Sequence, residues 1–299
     1  MDVSSVKSLN IAELVGAKAK DYAAFFKMRL TSLVAFSALF GYLIAAESVV
    51  WMDLVLLTIG GVLVTGSSNG FNQIIEKDLD KLMNRTNKRP LVTGRMSMNE
   101  AYLVAGISGF LGIIILWFAL NPLAGILGAL GLFLYVVIYT PMKQLSPWAV
   151  FAGAFPGAIP PMLGYVAYTG NFGLEAGLLF AVQFMWQFPH FWAIAWKADE
   201  DYTKAGFRLL PSKGGKDITS AFLILLYSIF LVLVSILPVV FGLVNEIALV
   251  VFLIAGYIIV KPSIKLFQEK TDKPATKVMY ASFIYIPLVL IAWYIDKII

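Results

Sequence analysis

The residues best suited to chemistry lie where an apolar segment gives way to a charged one. Asn72, Glu76 and Asp80 recur every four residues after the mostly apolar residues 49–70. If one helix runs through both parts, each step of four turns about 400°, so the three side chains stack along one face. Carboxylates at this spacing can share a divalent cation with water and phosphate oxygens. A solvated helix end would explain bases here, but it would not explain acids and an Asn in register.

Basic residues continue the pattern on the carboxyl-terminal side. Arg85 and Arg89 keep the four-residue spacing and are followed directly by Pro90. Guanidinium groups bind phosphate oxygens in a bidentate manner, so they suit an anionic partner of the cation. The segment 72–90 therefore predicts a site for a divalent cation and a phosphate-bearing ligand.

A second polar group ends another apolar segment. His190 is the only histidine, and it follows Pro189 close to Gln187 inside an apolar run. Polar groups in a membrane-spanning segment are costly and tend to line pathways or sites, whereas a lone histidine is usually a satisfied core residue. Both interpretations of His190 stay open. Charged residues follow it at Lys197, Asp199, Glu200, Asp201 and Arg208.

Composition sets the class of protein. Of the 299 residues, 60% are hydrophobic and 14% are charged, whereas soluble domains have about 45–50% and about 25%. The chain is therefore predicted to be an all-α polytopic membrane protein. The absence of cysteine excludes disulfides, thiolate nucleophiles and cysteine-ligated metal clusters. The net charge of +5 does not call for a nucleic-acid partner, because cytoplasmic loops of membrane proteins are rich in Lys and Arg.

Nine segments are apolar and long enough to cross the lipid bilayer, which takes about 20 residues each. They predict one bundle of nine transmembrane helices around a central cavity, formed by residues 25–299. Residues 1–24 lack the apolar core of a secretory signal and are predicted to be a tail or an interfacial helix. The predicted spans are 25–46, 50–72, 98–118, 122–140, 148–168, 174–196, 218–241, 246–266 and 278–297.

The basic residues predict the orientation. If the amino terminus is cytoplasmic and nine spans alternate, every Lys and Arg except Lys297 lies on the cytoplasmic side. The carboxyl terminus then lies outside. Two cytoplasmic loops, 77–97 and 197–217, are long and carry both signs of charge. We expect these two loops to cap the site.

Energetics place the acids at the helix ends. An acid at the bilayer centre costs about 2.5–3.5 kcal/mol, so Glu76, Asp80 and Asp201 must face water or one another. Facing acids repel unless cations bridge them, and Mg²⁺ binds through one or two carboxylates plus phosphate oxygens. The sequence thus predicts a magnesium-dependent diphosphate pocket at the end of an apolar bundle. A substrate with an anionic head and an apolar tail would suit it.

With these residues, the chain resembles the UbiA superfamily of intramembrane prenyltransferases, and within it the protohaem IX farnesyltransferase (haem O synthase) family. The resemblance covers about residues 22–297. Its more discriminating part is the run W-Q-F-P-H-F at 186–191. The other matching residues are Asn72, Glu76, Asp78 and Asp80, then Arg85, Arg89 and Pro90, the segments 139–141 and 153–161, and the pairs 201–202 and 210–211.

The resemblance implies farnesyl transfer from farnesyl diphosphate to a vinyl group of haem B, with addition of water and release of pyrophosphate. It implies Mg²⁺ as cofactor and a site facing the cytoplasm in the inner (cytoplasmic) membrane. Haem A synthase or terminal oxidase assembly would be partners for the product. The implied roles are Mg²⁺ binding by Asn72, Glu76 and Asp80, and by Asp201 with Asp199; diphosphate binding by Arg85, Arg89, Lys197 and Arg208; and haem contact or base catalysis by His190.

Three departures from the family pattern bear on function. Gln73 stands where many members carry a second Asp, which argues against an aromatic-acid acceptor. Glu76 replaces the more usual Asp and adds a methylene to a metal ligand. The segment Lys27-Met28-Arg29 lacks the proline often found between its two bases, so the resemblance assigns it no role in binding.

Two other functions fit parts of the pattern. One is a UbiA-type prenyltransferase that acts on a quinone precursor or another acceptor. The other is a transporter of an anionic amphiphile that uses the acids as cation-coupling sites. A transporter would carry acids deep in its spans, whereas these acids lie at one face of the predicted bundle, so we favour the enzyme.

Overall fold

The computed structural model describes residues 11–299 and shows helices joined by loops, with no strand in that range. The predicted all-α architecture is confirmed. The helices are α1 (Ile11–Phe25), α2 (Met28–Ala45), α3 (Trp51–Ile75), α4 (Lys77–Asp80), α5 (Met98–Leu120), α6 (Pro122–Leu145), α7 (Ala149–Thr169), α8 (Leu174–Lys197), α9 (Asp199–Lys204), α10 (Ile218–Val240), α11 (Glu246–Glu269) and α12 (Asp272–Ile298).

Eight helices within residues 11–299 are long and apolar enough to cross a membrane: α2, α3, α5, α6, α7, α10, α11 and α12. The ninth predicted span is α8. It has 24 residues and is about 36 Å long, which exceeds the hydrocarbon thickness. Its buried Gln183, Gln187 and His190 lower its mean hydropathy. The chain is a multi-pass membrane protein, and the count of nine spans stays a prediction.

Helices α2 and α7 pack with almost no space between their backbones. A Cβ atom at Gly164 would lie 1.8 Å from the carbonyl oxygen of Ala38, and one at Gly41 would lie 1.9 Å from that of Pro161. Small residues allow this approach, and such contacts stabilise helix pairs in membranes where no hydrophobic effect drives association. The two helices form one side of the bundle.

Helix α6 changes its winding near the site. Residues Leu134–Tyr139 form a π-helical stretch, and Pro141, which follows, has no N–H to donate within the helix. The Thr140 hydroxyl donates to the carbonyl oxygen of Tyr135 at 2.8 Å. A π-helical turn rotates the residues after it relative to a regular helix. The π-helical stretch thereby determines the direction in which the Thr140 and Lys143 side chains project from α6.

The two long loops meet at one end of the bundle. The backbone N–H of Arg85 donates to Oδ2 of Asp201 at 3.2 Å. Met83 of the first loop also belongs to the same buried apolar cluster as Phe207 and Leu209 of the second. The ends of α3 and α8 therefore lie on the same side of the bundle, as the predicted shared site requires.

The amino-terminal region contains a docked helix. In α1, Lys18 pairs with Glu100 at 2.8 Å and Asp21 with Arg95 at 2.8 Å. Tyr22 also donates to Glu100 at 2.8 Å. Part of the predicted tail or interfacial helix is thus a helix fixed to the end of the first loop, and its residues 1–10 lie outside the described residues.

Candidate functional site

The three residues at four-residue spacing share a buried face, as predicted. Asn72, Glu76 and Asp80 are 1%, 3% and 1% exposed. Helix α3 ends at Ile75 and α4 begins at Lys77, so the break at Glu76 is a single residue and the register is kept. Asp78, the middle acid of the motif, is instead exposed and pairs with Lys81 at 2.6 Å.

Three bases surround this face. The Lys143 ammonium lies 2.5 Å from Glu76 Oε1, and an Arg89 guanidinium nitrogen lies 2.5 Å from Asp80 Oδ2. Lys27 donates to Asn72 Oδ1 at 3.0 Å. We call Lys27, Asn72, Glu76, Asp80, Arg89 and Lys143 the inner cluster. It contains three bases and two acids, a composition that suits an anion.

The inner cluster has the ligands that Mg²⁺ requires. Asp80 Oδ1 is buried and has no hydrogen-bond partner in the described part of the chain, and the amide oxygen of Asn72 and the carboxylate of Glu76 share its face. Residues 11–299 contain no group of three or more His, Cys, Asp or Glu side chains placed to hold a metal. Mg²⁺ usually takes one or two carboxylates and completes its shell with water and substrate oxygens, so the residues fit it.

Burial perturbs the charges of the cluster. It raises the pKa of Asp80, and the neighbouring Arg89 opposes that rise. Burial also lowers the pKa of Lys27 well below its usual value, and the positive charges of Arg89 and Lys143 lower it further. A bound polyanion would favour the charged form of Lys27, so ligand binding and protonation of this lysine support each other.

Side chains of α3 hold Lys27 in place. Gln73 donates to the carbonyl oxygen of Phe25 at 2.6 Å, and Asn69 donates to that of Phe26 at 3.2 Å. These carbonyl groups are free because the chain breaks between α1 and α2, where Lys27 has a left-handed φ of 49°. Non-glycine residues rarely adopt this conformation. Gln73 thus has a structural role that an Asp, which cannot donate in its ionised form, would not fill.

Sequence reasoning missed Lys27 and Lys143. Because the segment 27–29 lacks the proline of the family pattern, the sequence assigns Lys27 no role. In the structure, Gln73 and Asn69 hold the backbone beside Lys27, and its ammonium donates to Asn72. The sequence pattern places Lys143 only among the basic residues of the cytoplasmic side. One sequence feature could have indicated that Lys143 belongs to the site: it is the base that follows Thr140-Pro141. A proline at this position alters the register of the preceding helix.

The other predicted diphosphate bases lie elsewhere. Arg85 and Lys197 line a second space of about 460 Å³, together with Lys204, Glu200 and Asp201 on its polar side. We call this space the outer cavity; its other lining residues are Asn84, Ile194, Ala198 and Met279. Of the four predicted bases, only Arg89 belongs to the inner cluster. Arg208 is exposed and does not line the outer cavity.

Asp199 and Asp201, which follow α8, interact with different groups. Asp201 is partly buried, and hydrogen bonds from the backbone N–H groups of Arg85 and Asn84 and from Lys204 lower its pKa. Burial raises the pKa of Asp199, and Lys216 partly counteracts it. Asp201 thus contacts the first loop, and its carboxylate already accepts hydrogen bonds. The pKa of Asp199 responds to Lys216 and not to the inner cluster.

His190 is buried and held by α12. Its Nδ1 lies 2.8 Å from the Ser282 hydroxyl oxygen, and that hydroxyl donates to the carbonyl oxygen of Met279 at 2.6 Å. Since a hydroxyl has one proton, Ser282 accepts from His190, which fixes the imidazole proton on Nδ1. Nε2 then carries the lone pair. The ring stacks on Trp186 with centroids 4.3 Å apart.

The chain is similar in sequence and in fold to known proteins. The chain is 46% identical over 284 residues to the protoheme IX farnesyltransferase of Christiangramia forsetii, covering 93% of this chain and 94% of that relative. Among solved structures, digeranylgeranylglyceryl phosphate synthase is similar with a TM-score of 0.78 and 22% identity, covering 94% of this chain and 99% of the other.

A further solved structure is that of a UbiA homologue from Archaeoglobus fulgidus bound to GPP and Mg²⁺. It has a TM-score of 0.60 and 14% identity, covering 91% of this chain and 99% of the other. At these identities the structural likeness concerns the fold. The model of the UbiA prenyltransferase family matches residues 34–286. The chain therefore belongs to the UbiA prenyltransferase family.

Proposed function

We propose that this protein transfers the farnesyl group of farnesyl diphosphate to a vinyl group of haem B, giving haem O and pyrophosphate. The observation that carries the proposal is the 46% identity, over nearly the full length of both chains, to a protoheme IX farnesyltransferase. The inner cluster supplies what such a reaction needs, because it places bases and carboxylates at the end of an apolar bundle.

The leaving diphosphate is the anion that the inner cluster binds. Lys27, Arg89 and Lys143 stabilise the negative charge that develops on the diphosphate as the carbon–oxygen bond breaks. Charges that are already fixed before the reaction need no reorganisation, and such stabilisation is usually the largest contribution to catalysis. Arg85, Lys197 and Arg208 stay predictions as diphosphate ligands.

Asn72, Glu76 and Asp80 would hold Mg²⁺. Bound there, the ion would neutralise the phosphate oxygens and assist departure of the diphosphate. The structure of the Archaeoglobus fulgidus homologue with GPP and Mg²⁺ and the unpartnered Asp80 oxygen support this assignment. A second ion at Asp201 and Asp199 stays a prediction.

Aromatic rings lie beside the cluster. The Tyr139 ring centroid is 4.9 Å from the Lys143 ammonium, and that of Phe207 is 5.7 Å from it. An allylic cation forms when the diphosphate leaves, and an aromatic face stabilises a cation in a dry site by up to about 2 kcal/mol. We assign this role to Tyr139 and Phe207.

The remaining parts of the proposal concern the acceptor and the cell. His190, with a lone pair on Nε2, would contact haem iron or act as a base near the vinyl group. We further propose nine spans, a cytoplasmic amino terminus, loops 77–97 and 197–217 capping a cytoplasmic site, and an inner-membrane location. Delivery of the product to haem A synthase or terminal oxidase assembly stays a prediction.

Product analysis with the purified protein tests the function. Farnesyl diphosphate, haem B and Mg²⁺ are incubated with the chain in detergent, and the extracted haem is analysed by mass spectrometry. We expect a haem whose mass increases by one farnesyl group and one hydroxyl group, because the second proton of the added water leaves with pyrophosphate. A parallel incubation supplies a quinone precursor in place of haem B. Prenylation of that precursor, with haem left unchanged in the first incubation, would show that the family member acts on a different acceptor.

A further inference from the structure

A groove opens on the outer surface of the bundle between α10 and α11, with a volume of about 500 Å³. Neither helix supplies a residue to the inner cluster or to the outer cavity, so the groove is separate from both. Its polar lining residues are all on α11: Tyr257, Lys261, Lys265 and Gln268. Its apolar lining side chains are those of Ile229, Val232, Leu233, Leu253, Val260 and Ile264.

The apolar part of the groove faces the hydrocarbon of the lipid bilayer. Leu233 and Leu253 are 55% and 49% exposed on helices that are long and apolar enough to cross a membrane. The floor forms where the helices approach, because a Cβ atom at Gly256 would lie 2.8 Å from Val232 Cγ2. From Leu253 to Lys265 the groove runs about 18 Å along α11, since twelve residues separate them. One leaflet contains roughly 15 Å of hydrocarbon, so an acyl chain fits along the groove.

The polar part of the groove is a row of hydrogen-bond donors. Tyr257, Lys261 and Lys265 are four residues apart and share one face of α11. Lys261 donates to the Tyr257 hydroxyl oxygen at 2.8 Å, so that hydroxyl keeps its own proton for another acceptor. The ion pair of Lys216 and Asp272, at 3.0 Å, joins the segments next to the start of α10 and the end of α11. The donors therefore lie toward the end of the bundle that carries the charged loops.

The two bases of the groove have no acidic partner. No carboxylate lines the groove, and none within residues 11–299 lies within 4.0 Å of the Lys261 or Lys265 ammonium. Glu269, one turn beyond Lys265, is exposed and does not pair with it. Both lysines belong to a helix that is apolar enough to cross a membrane, where an unpaired charge is costly. An anion at the level of the lipid headgroups would stabilise them.

We propose that this groove binds an anionic phospholipid. One acyl chain lies along the apolar floor, and the phosphate accepts hydrogen bonds from Lys261, Lys265 and Tyr257. The uncompensated charge of the two lysines favours an anionic lipid over a zwitterionic one, since basic pockets between transmembrane helices bind anionic headgroups. The continuous apolar floor favours a lipid over a soluble phosphate, which has no chain to bury there.

Lipid binding to variants of equal net charge tests the proposal. Phosphatidylglycerol and phosphatidylcholine with identical acyl chains are titrated into the delipidated full chain in detergent. Bound lipid is counted by native mass spectrometry, and the thermal unfolding midpoint is followed in parallel. The groove variant combines Lys261→Gln with Lys265→Gln. The control combines Lys273→Gln with Lys277→Gln, which are exposed bases of α12 that do not line the groove.

We expect the groove variant to bind its tightest phosphatidylglycerol molecule at least about tenfold more weakly than the unaltered protein, because charge-assisted hydrogen bonds are lost. The control should stay within about twofold of the unaltered protein. Phosphatidylcholine, whose choline group compensates its phosphate, should bind all three proteins weakly and equally. Phosphatidylglycerol should raise the unfolding midpoint of the unaltered protein and the control more than that of the groove variant. Inorganic phosphate should not displace phosphatidylglycerol.

Four results would overturn the proposal. An equal loss of affinity in the groove variant and the control would indicate general attraction to positive charge at this end of the bundle. Equally tight binding of phosphatidylcholine would reduce the groove to an apolar contact. Displacement of phosphatidylglycerol by inorganic phosphate or by farnesyl diphosphate would assign the bases to another anion. A dimer of the unaltered chain that the groove variant dissociates would assign the groove to a second copy of this chain. None of these measurements depends on farnesyl transfer.

Discussion

Buried acids occur at both ends of the bundle, and their surroundings differ. Glu76 and Asp80 lie near the end of α8, whereas Glu175 lies in its first turn, about 36 Å away along that helix. Asp296, near the end of α12, is also buried at the same end of the bundle as Glu175. We call Glu175 and Asp296, with their partners, the far-end group.

The far-end group is satisfied by donors of the protein itself. Asp296 accepts from the backbone N–H groups of Asn245 and Ala248 at 2.5 and 3.2 Å. It thereby caps the start of α11, where four N–H groups have no partner inside the helix. Glu175 accepts from the Trp293 indole at 3.2 Å and lies 3.6 Å from Lys297.

The inner cluster is arranged differently. It has three bases for two acids, one buried carboxylate oxygen without a partner, and a lysine held in a left-handed conformation. Such an arrangement is costly for the protein alone and becomes favourable when a cation and a polyanion bind. We therefore propose that buried acids of similar exposure serve stability at one end and ligand binding at the other.

The largest expected effect separates the two acids directly. Asp80→Asn removes a charge from the proposed Mg²⁺ site, so we expect farnesyl transfer to fall at least about 100-fold, with little change in the unfolding midpoint. Asp296→Asn is the matched control and should keep the turnover of each folded molecule within about twofold. Comparable activity loss in both variants would abolish the distinction between the two ends.

The bases give the second contrast. Lys143→Met should raise the KM for farnesyl diphosphate about tenfold, because a charge that contacts the diphosphate is lost. Lys297→Met should leave that KM unchanged, although it removes a base from Glu175. Steady-state kinetics at saturating haem and Mg²⁺ measure both, and a normal KM in Lys143→Met would remove this lysine from the diphosphate site.

Stability should respond at the far end. Asp296→Asn weakens charge-assisted hydrogen bonds to the start of α11, so we expect the free energy of unfolding to fall by about 1–3 kcal/mol. Unfolding in detergent by a chemical denaturant, followed by circular dichroism, measures this loss. An unaltered unfolding free energy would show that the cap does not stabilise the helix.

The smallest expected effect is a dependence on pH. Because burial raises the pKa of Asp80, its carboxylate takes up a proton at a higher pH than an exposed Asp. Without metal, its contribution to stability is present below the pKa of the unfolded chain and is lost as the pH rises through the folded pKa. Mg²⁺ needs the ionised form, so the concentration for half-saturation should rise a few-fold as the pH falls from 7 to about 5.5.

An assay of farnesyl transfer at several pH values and Mg²⁺ concentrations measures this effect. Asp80→Asn cannot titrate, so its residual activity should show no such acid-side change in Mg²⁺ requirement. A rise of the same size in that variant would trace the pH dependence to another group.

Individual residues show how much of the site could be predicted from the sequence. The face formed by Asn72, Glu76 and Asp80 follows from local spacing, and the structure confirms that it is buried. The meeting of the two loops was also anticipated, and the Arg85–Asp201 hydrogen bond confirms it. The spacing of Arg85 and Arg89 does not continue the helical face, because α4 ends at Asp80 and Arg89 turns back to pair with that residue. Diphosphate binding by Arg85 stays a prediction.

By itself the sequence determined the all-α membrane fold, the buried acidic face and the family resemblance, because these depend on composition and on residues close together in the chain. Only the tertiary structure decided which bases complete the site. Lys27, at a break held by Asn69 and Gln73, reaches Asn72. Lys143, after the π-helical stretch that precedes Pro141, reaches Glu76. Such contacts join residues 43 or more positions apart, and local patterns carry no information about which distant residues come together.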